Sequence, residues 1–165
     1  MSDLSSIVYS IHSAMRKGTI GPGEMADLRR LDPQNPDRLA FWQVIVRWVE
    51  GEFPLSDEQT QRWAAVLQGW AVLGPDLHHP KCPLGRAMEG AGMAESRLSR
   101  LLRAPDSQFP EAAVRLCRFM RAKREPFNWT EFARWVLADN RDQANDRIAQ
   151  DYYRAKIAKE RRGKA

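Results

Sequence analysis

Two rows of arginine carry the chemistry this sequence can do: Arg97, Arg100 and Arg103, then Arg115, Arg118 and Arg121, each at i, i+3, i+6. On a helix that spacing drifts by about 60° per step, so each trio predicts a cationic ridge about 9 Å long. Leu98, Leu101 and Leu102 fall on the opposite side of the first ridge. Guanidinium is planar, stays charged at any working pH and donates two parallel N–H bonds, which suits the phosphate oxygens of a polynucleotide. Arginine is also common on the wet face of an amphipathic helix. Lack of compensation argues against simple solvation: residues 81–124 hold ten Lys+Arg against four Asp+Glu, a local excess of +6.

The same imbalance divides the chain. Residues 1–80 carry a formal charge of −3 and residues 81–165 carry +8, giving the net +5. Arg outnumbers Lys twenty to six, which favours oriented contacts, although a GC-rich genome produces the same bias. With 165 residues and 43% apolar content, the chain suits one compact domain or two small lobes. No apolar run approaches the roughly 18 residues of a spanning helix and no signal-peptide pattern opens the chain, so a cytoplasmic protein without a membrane partner is expected. Cys82 and Cys117 are too few for a disulfide framework and are read as ordinary thiols.

Other chemistries find less support. His78, His79 and Cys82 resemble part of a zinc site, but four ligands are needed and the remaining histidine, His12, is far along the chain, so no metal and no cofactor is expected. Trp42, Trp48, Trp63 and Trp70 could stack bases. Trp63 and Trp70, however, are seven apart on one helix face, which favours core packing. Neither convergent carboxylates, a Ser/His/Asp set nor a Gly-rich phosphate loop is evident, so no catalysis is expected.

These side chains need helices to position them, and the periodicity is helical throughout. Leu4, Ile7, Val8 and Ile11 mark a first helix ending near Gly18, and Pro22 opens a short second one ending near Leu31. Leu39 to Val49 is apolar and aromatic, and Ser56 with Gln59 makes a capping-box pattern for a long helix to about Leu73. Residues 74–83 hold three prolines and no period, predicting a linker near residue 80 between an acidic lobe, 1–80, and a basic lobe, 81–165. Further helices are expected at about 84–90, 94–103, 110–123, 129–138 and 141–158, with fraying from Arg154. The expected fold class is all-α, two small helical lobes packed together.

One local pattern supports an alternative function. Leu84 to Arg103 reads as a helix-turn-helix, with a turn at Gly90 and Gly92, and would make the chain a sequence-specific duplex DNA-binding regulator. Such a reader needs base-contacting side chains at the start of its second helix, whereas Arg97, Arg100 and Arg103 run along the whole helix as a phosphate-tracking ridge would.

Taken in order, the residues resemble the CasB family, the small subunit of the type I-E CRISPR surveillance complex Cascade. The block Leu84-Gly85-Arg86-Ala87, the glycine turn, Glu95 to Arg97 and Leu101-Leu102-Arg103-Ala104 is the most recognisable part. Leu28-Arg29-Arg30 followed after a proline-bearing gap by Ala40-Phe41-Trp42 is similar to the family's first lobe. Arg115 to Arg118, Trp129, Ala133-Arg134 and Asp151-Tyr152-Tyr153 continue the likeness, which spans roughly Arg16 to Tyr153.

The resemblance implies a non-catalytic, two-lobed helical subunit that sits as a pair in Cascade beside the guide-bearing backbone subunits and the large subunit. Its basic residues would line the path of guide RNA and target DNA and help hold the displaced strand of the R-loop. Carried onto this chain, the contacts would be Arg29, Arg30, Arg86, Arg97, Arg100, Arg103, Arg115 and Arg118, with Arg121 completing the second ridge. Each has a local alternative: Arg30 could pair with Asp27 or Asp32, Arg86 with Glu89, and Arg118 could brace a neighbouring helix. After Trp135 the chain departs from the family pattern, with Asp139-Asn140 before Arg141, which leaves Arg141 and Arg147 as candidates beside Asp142 and Asp146.

Overall fold

The computed structural model describes residues 3–164. The fold is all-α. The order is α1 (Leu4–Lys17), α2 (Pro22–Arg29), α3 (Leu39–Val44), α4 (Asp57–Leu73), α5 (Leu84–Gly90), α6 (Glu95–Leu102), α7 (Phe109–Lys123), α8 (Trp129–Leu137) and α9 (Asp142–Gly163). The apolar stretch expected as one helix over 39–49 changes pitch: α3 runs directly into a π-helical turn at Ile45–Val49. Leu39, Trp42 and Val46, at i, i+3 and i+7 of this segment, are exposed.

Helix α4 is the axis of the molecule. Every residue from Trp63 to Ala71 is buried, which a helix tolerates only when packed on all sides. It lies against α2, α7 and α8. Close approach to α7 requires Gly69, because a Cβ there would lie 2.8 Å from Cys117 Sγ and 3.3 Å from the Phe132 ring. Ser56 caps α4 by accepting the Gln59 N–H at 3.1 Å. The Gln59 side chain leaves the expected capping box and donates to the Leu137 carbonyl, tying α4 to α8. Similarly, Asn128 caps α8 through the Thr130 N–H, while Glu131 accepts from the Leu84 N–H and caps α5, whose own N-cap, Pro83, makes no side-chain cap bond.

The core is continuous across residue 80. Trp63 and Trp70 are fully buried, as their spacing predicts, and Trp70 stacks on Trp129 of α8 with centroids 5.4 Å apart. Trp42, by contrast, is 42% exposed. Residues 74–83, expected as a linker, lack a regular helix apart from a 3-10 turn at Pro75–Leu77 but are pinned to the body. His79 N–H donates to the Phe127 carbonyl, Asn128 N–H to that of Cys82, and the Trp129 indole N–H to that of Leu77. At the other end α9 stays helical to Gly163, past residue 154, and every side chain from Ile157 to Lys164 is exposed.

The histidines belong to this packing. His12, distant in sequence, brings its ring to 4.9 Å from that of His78, and both lie against Trp129. His78 Nδ1 accepts the Trp129 backbone N–H. Burial, reinforced by the neighbouring His12, pushes the His78 pKa down to about 4. In the unfolded chain the ring returns to its ordinary value of 6.5, so unfolding takes up a proton between these two values. Stability is therefore complete above about 6.5 and falls as pH drops towards 4. Thermal melts from about pH 7 to about pH 5 should show a falling Tm in the native chain and a shallower fall in His78→Gln. Parallel profiles would remove His78 as the group responsible.

Candidate nucleic-acid interface

Helix α6 is short and strongly amphipathic. It buries Leu98 and Leu101 and turns its arginines outward, with Arg103 taking the C-cap position. Its partner α7 buries Ala112, Ala113, Leu116, Cys117 and Met120 and leaves Arg115 and Arg118 exposed. Between the two helices runs an open groove of about 750 Å³. Arg97, Arg100 and Arg103 from α6 and Arg115 from α7 line it, over an apolar floor that includes Met93, Leu101, Ala112 and Leu116. Among the described residues none of these four guanidiniums takes part in an ion pair. Four unneutralised cations along one trough create a positive potential that an apolar floor of low dielectric intensifies.

The second ridge does not stay together. Two steps of about 60° put Arg115 and Arg121 about 120° apart around α7, enough to send them to opposite flanks. Arg115 faces the groove, whereas Arg121 Nη1 donates to the Leu73 carbonyl at 3.0 Å. From α2, Arg29 Nε donates to the Ala71 carbonyl at 3.1 Å. Both carbonyls belong to the last turn of α4, where backbone acceptors have no intrahelical partner and the helix dipole is negative. Arg29 and Arg121 therefore brace the C-terminus of α4. Arg118 stays on the outer surface between the two flanks.

The remaining candidates lie elsewhere. Arg30 is exposed at the end of α2, and Asp27 pairs with Arg38 instead. Arg86, on α5, lines a cleft beside α9 where Lys81, Arg154 and Arg162 are mixed with Glu89, Glu125 and Asp151. Glu89 there pairs with Lys159, not with Arg86. Arg141, expected among the strand contacts, is turned inward. Its side chain is 11% exposed, its Nη2 donates to the Ala104 carbonyl at 2.8 Å and to Asp106 at 3.0 Å, and its guanidinium lies 3.7 Å over the Phe109 ring. Arg141 thus clamps the α6–α7 loop that closes one end of the groove. Asn145 helps, donating to the Leu102 carbonyl while accepting the Trp135 indole N–H.

Two residues missed by sequence reasoning adjoin the groove. Phe119 lies under the Arg97 guanidinium, and Lys123 follows one turn later. The signal was present at a different period: Arg115, Phe119 and Lys123 stand at i, i+4, i+8.

Other sites fit less. Among the described residues no three His, Cys, Asp or Glu side chains are grouped to hold a metal ion, and no helix is long and apolar enough to cross a membrane. Burial pushes the thiols of Cys82 and Cys117 up, away from reactive thiolate character. As a helix-turn-helix, α5 and α6 would pack on one another, but α5 packs on α9 and α6 lies on α7. The start of α6 is also engaged, with Glu95 paired to Lys156 of α9.

No curated protein and no solved structure is significantly similar to the chain. The family model for CRISPR-associated protein Cse2 matches residues 24–153, which include α3 to α8 and about the first half of α9. With that match covering most of its length, the chain belongs to the Cse2 (CasB) family of type I-E Cascade.

Proposed function

We propose that the α6–α7 groove is the path of a nucleic-acid strand, and that this Cascade small subunit holds guide RNA and target DNA by their backbones and steadies the displaced strand of the R-loop. Membership of the family places the chain in a Cascade complex in CRISPR defence. The observation that supports the finer reading is the convergence of Arg97, Arg100, Arg103 and Arg115 on one groove without carboxylate partners. Sequence information is delegated to base pairing in such systems, so a protein surface has only to neutralise phosphates. Exchanging a DNA duplex for a guide heteroduplex is nearly balanced in energy, and a few added phosphate contacts tip it. The role requires no catalysis. Its neighbours would be the backbone and large subunits and a second copy of this chain.

The test is binding of labelled single-stranded oligonucleotides across a salt series. About three to five phosphate contacts give a log-log slope of about −2 to −3.5, with no preference among sequences. A flat salt dependence would contradict the reading, and a preference of about 10³-fold for one duplex would support the regulator instead.

A further inference from the structure

Phe119 is half-buried on α7, one turn beyond Arg115 and one turn before Lys123, so a cation, an aromatic ring and a second cation follow one another along a single stripe. From α6, Arg97 lays its guanidinium over this ring, with Cζ 4.3 Å from the centroid. Lys123 Nζ lies 5.9 Å from the same centroid. Arg97 is also exposed and lines the groove. The ring therefore favours one placement for a single arginine of the four, at the end of the groove nearest the C-terminus of α7.

Position alone does not require an aromatic partner. An arginine that serves only as a phosphate contact gains little from a ring beneath it, because charge and reach suffice. A guanidinium resting on a ring, however, keeps its outer planar face available. That face accepts a nucleobase by stacking, and the N–H edge remains free for a phosphate of the same strand.

We propose that Arg97 and Phe119 together form a base-stacking platform at the end of the groove, so that the site takes a single strand whose bases are unpaired and turned inward. This rests on the reading of the groove as a strand path, and adds to it a contribution from bases that phosphate contacts alone do not give. Because every base has a stackable face, the platform is tolerant of sequence. It selects against a duplex, whose bases are already stacked on one another.

The test uses the full chain with oligo(dT) and an abasic tract of equal length. Arg97→Lys keeps the charge and removes the planar face. It should weaken oligo(dT) binding by about five- to tenfold but abasic-tract binding by no more than about twofold, with the salt slope little changed because the charge is kept. Phe119→Leu should match Arg97→Lys, and Phe119→Tyr should restore most of the loss. An Arg97→Lys variant that binds oligo(dT) as the native chain does, or that loses equal affinity for the abasic tract, overturns the platform while the salt slope still stands. A flat slope in the native chain overturns the groove and the platform together.

Discussion

Replacing Arg100, Arg103 and Arg115 together by alanine should weaken single-strand binding by about 100-fold at about 0.1 M salt and reduce the log-log salt slope by about two units. The estimate follows from counterion release, at about 0.7 of a unit per phosphate contact on a single strand. All three side chains are exposed, line the groove and have no ion pair among the described residues, so folding stability should change by no more than about 0.5 kcal/mol. Arg121→Ala is the contrasting variant. It removes a donor from the Leu73 carbonyl at the end of α4, so its expected cost is about 1 kcal/mol of stability with little change in slope. Chemical denaturation and the salt titration, performed on both variants, separate groove from brace. If the triple variant loses stability and keeps its slope, the assignments are reversed.

Gly85→Ala should cost about 3 kcal/mol, the upper part of the range for overpacking, because the new atom has nowhere to go. Helix α5 crosses α9 so closely that a Cβ at position 85 would stand 2.1 Å from the Ile148 carbonyl oxygen and 2.9 Å from the Tyr152 nitrogen. Both are backbone atoms, so rotation of a side chain cannot relieve the contact and one helix has to move. That movement would disturb the Tyr152 hydroxyl bond to the Met93 carbonyl at 2.6 Å, and Met93 forms part of the groove floor. A chemical denaturation midpoint measured beside Gly51→Ala, where a Cβ meets nothing within 4 Å, isolates the effect. Equal midpoints would show that the α5–α9 crossing is looser than described.

The helices were legible because their signals are local. Pro22, Ser56 and Asn128 open helices where expected, and Gly18 and Gly74 end them with φ of 80° and 79°. The change of pitch at Ile45 carries no local mark, since a π turn uses the same apolar residues as an α turn. The linker expected at 74–83 was read from its prolines, but its fixed position comes from bonds to Phe127 and Trp129, contacts about fifty residues away in sequence.

The candidate site was legible in part for the same reason. Arg97 and Arg100 on the eight-residue α6 and Arg103 at its C-cap share a ridge, and that ridge lines the groove. On the longer α7 the drift of the same spacing matters, and tertiary neighbours decide each outcome: Arg115 meets α6, and Arg121 meets the end of α4. Arg141 could not be distinguished from an exposed arginine without Phe109 beneath it and Ala104 and Asp106 beside it. Phe119 carries no mark of its own in the sequence, since aromatic residues at helical spacing usually fill a core, and only the Arg97 contact shows what it adjoins.

The most direct measurement is site-specific photo-crosslinking from the groove in the assembled complex engaged with target DNA. Gln108 is exposed and lines the groove beside Arg103 and Arg115, and Gln150 is exposed in a separate cleft between α8 and α9. With a photoreactive group attached at Gln108→Cys or at Gln150→Cys, nucleic-acid adducts are expected from position 108 and few or none from position 150. Adducts from 150 with none from 108 would contradict the groove as the strand path.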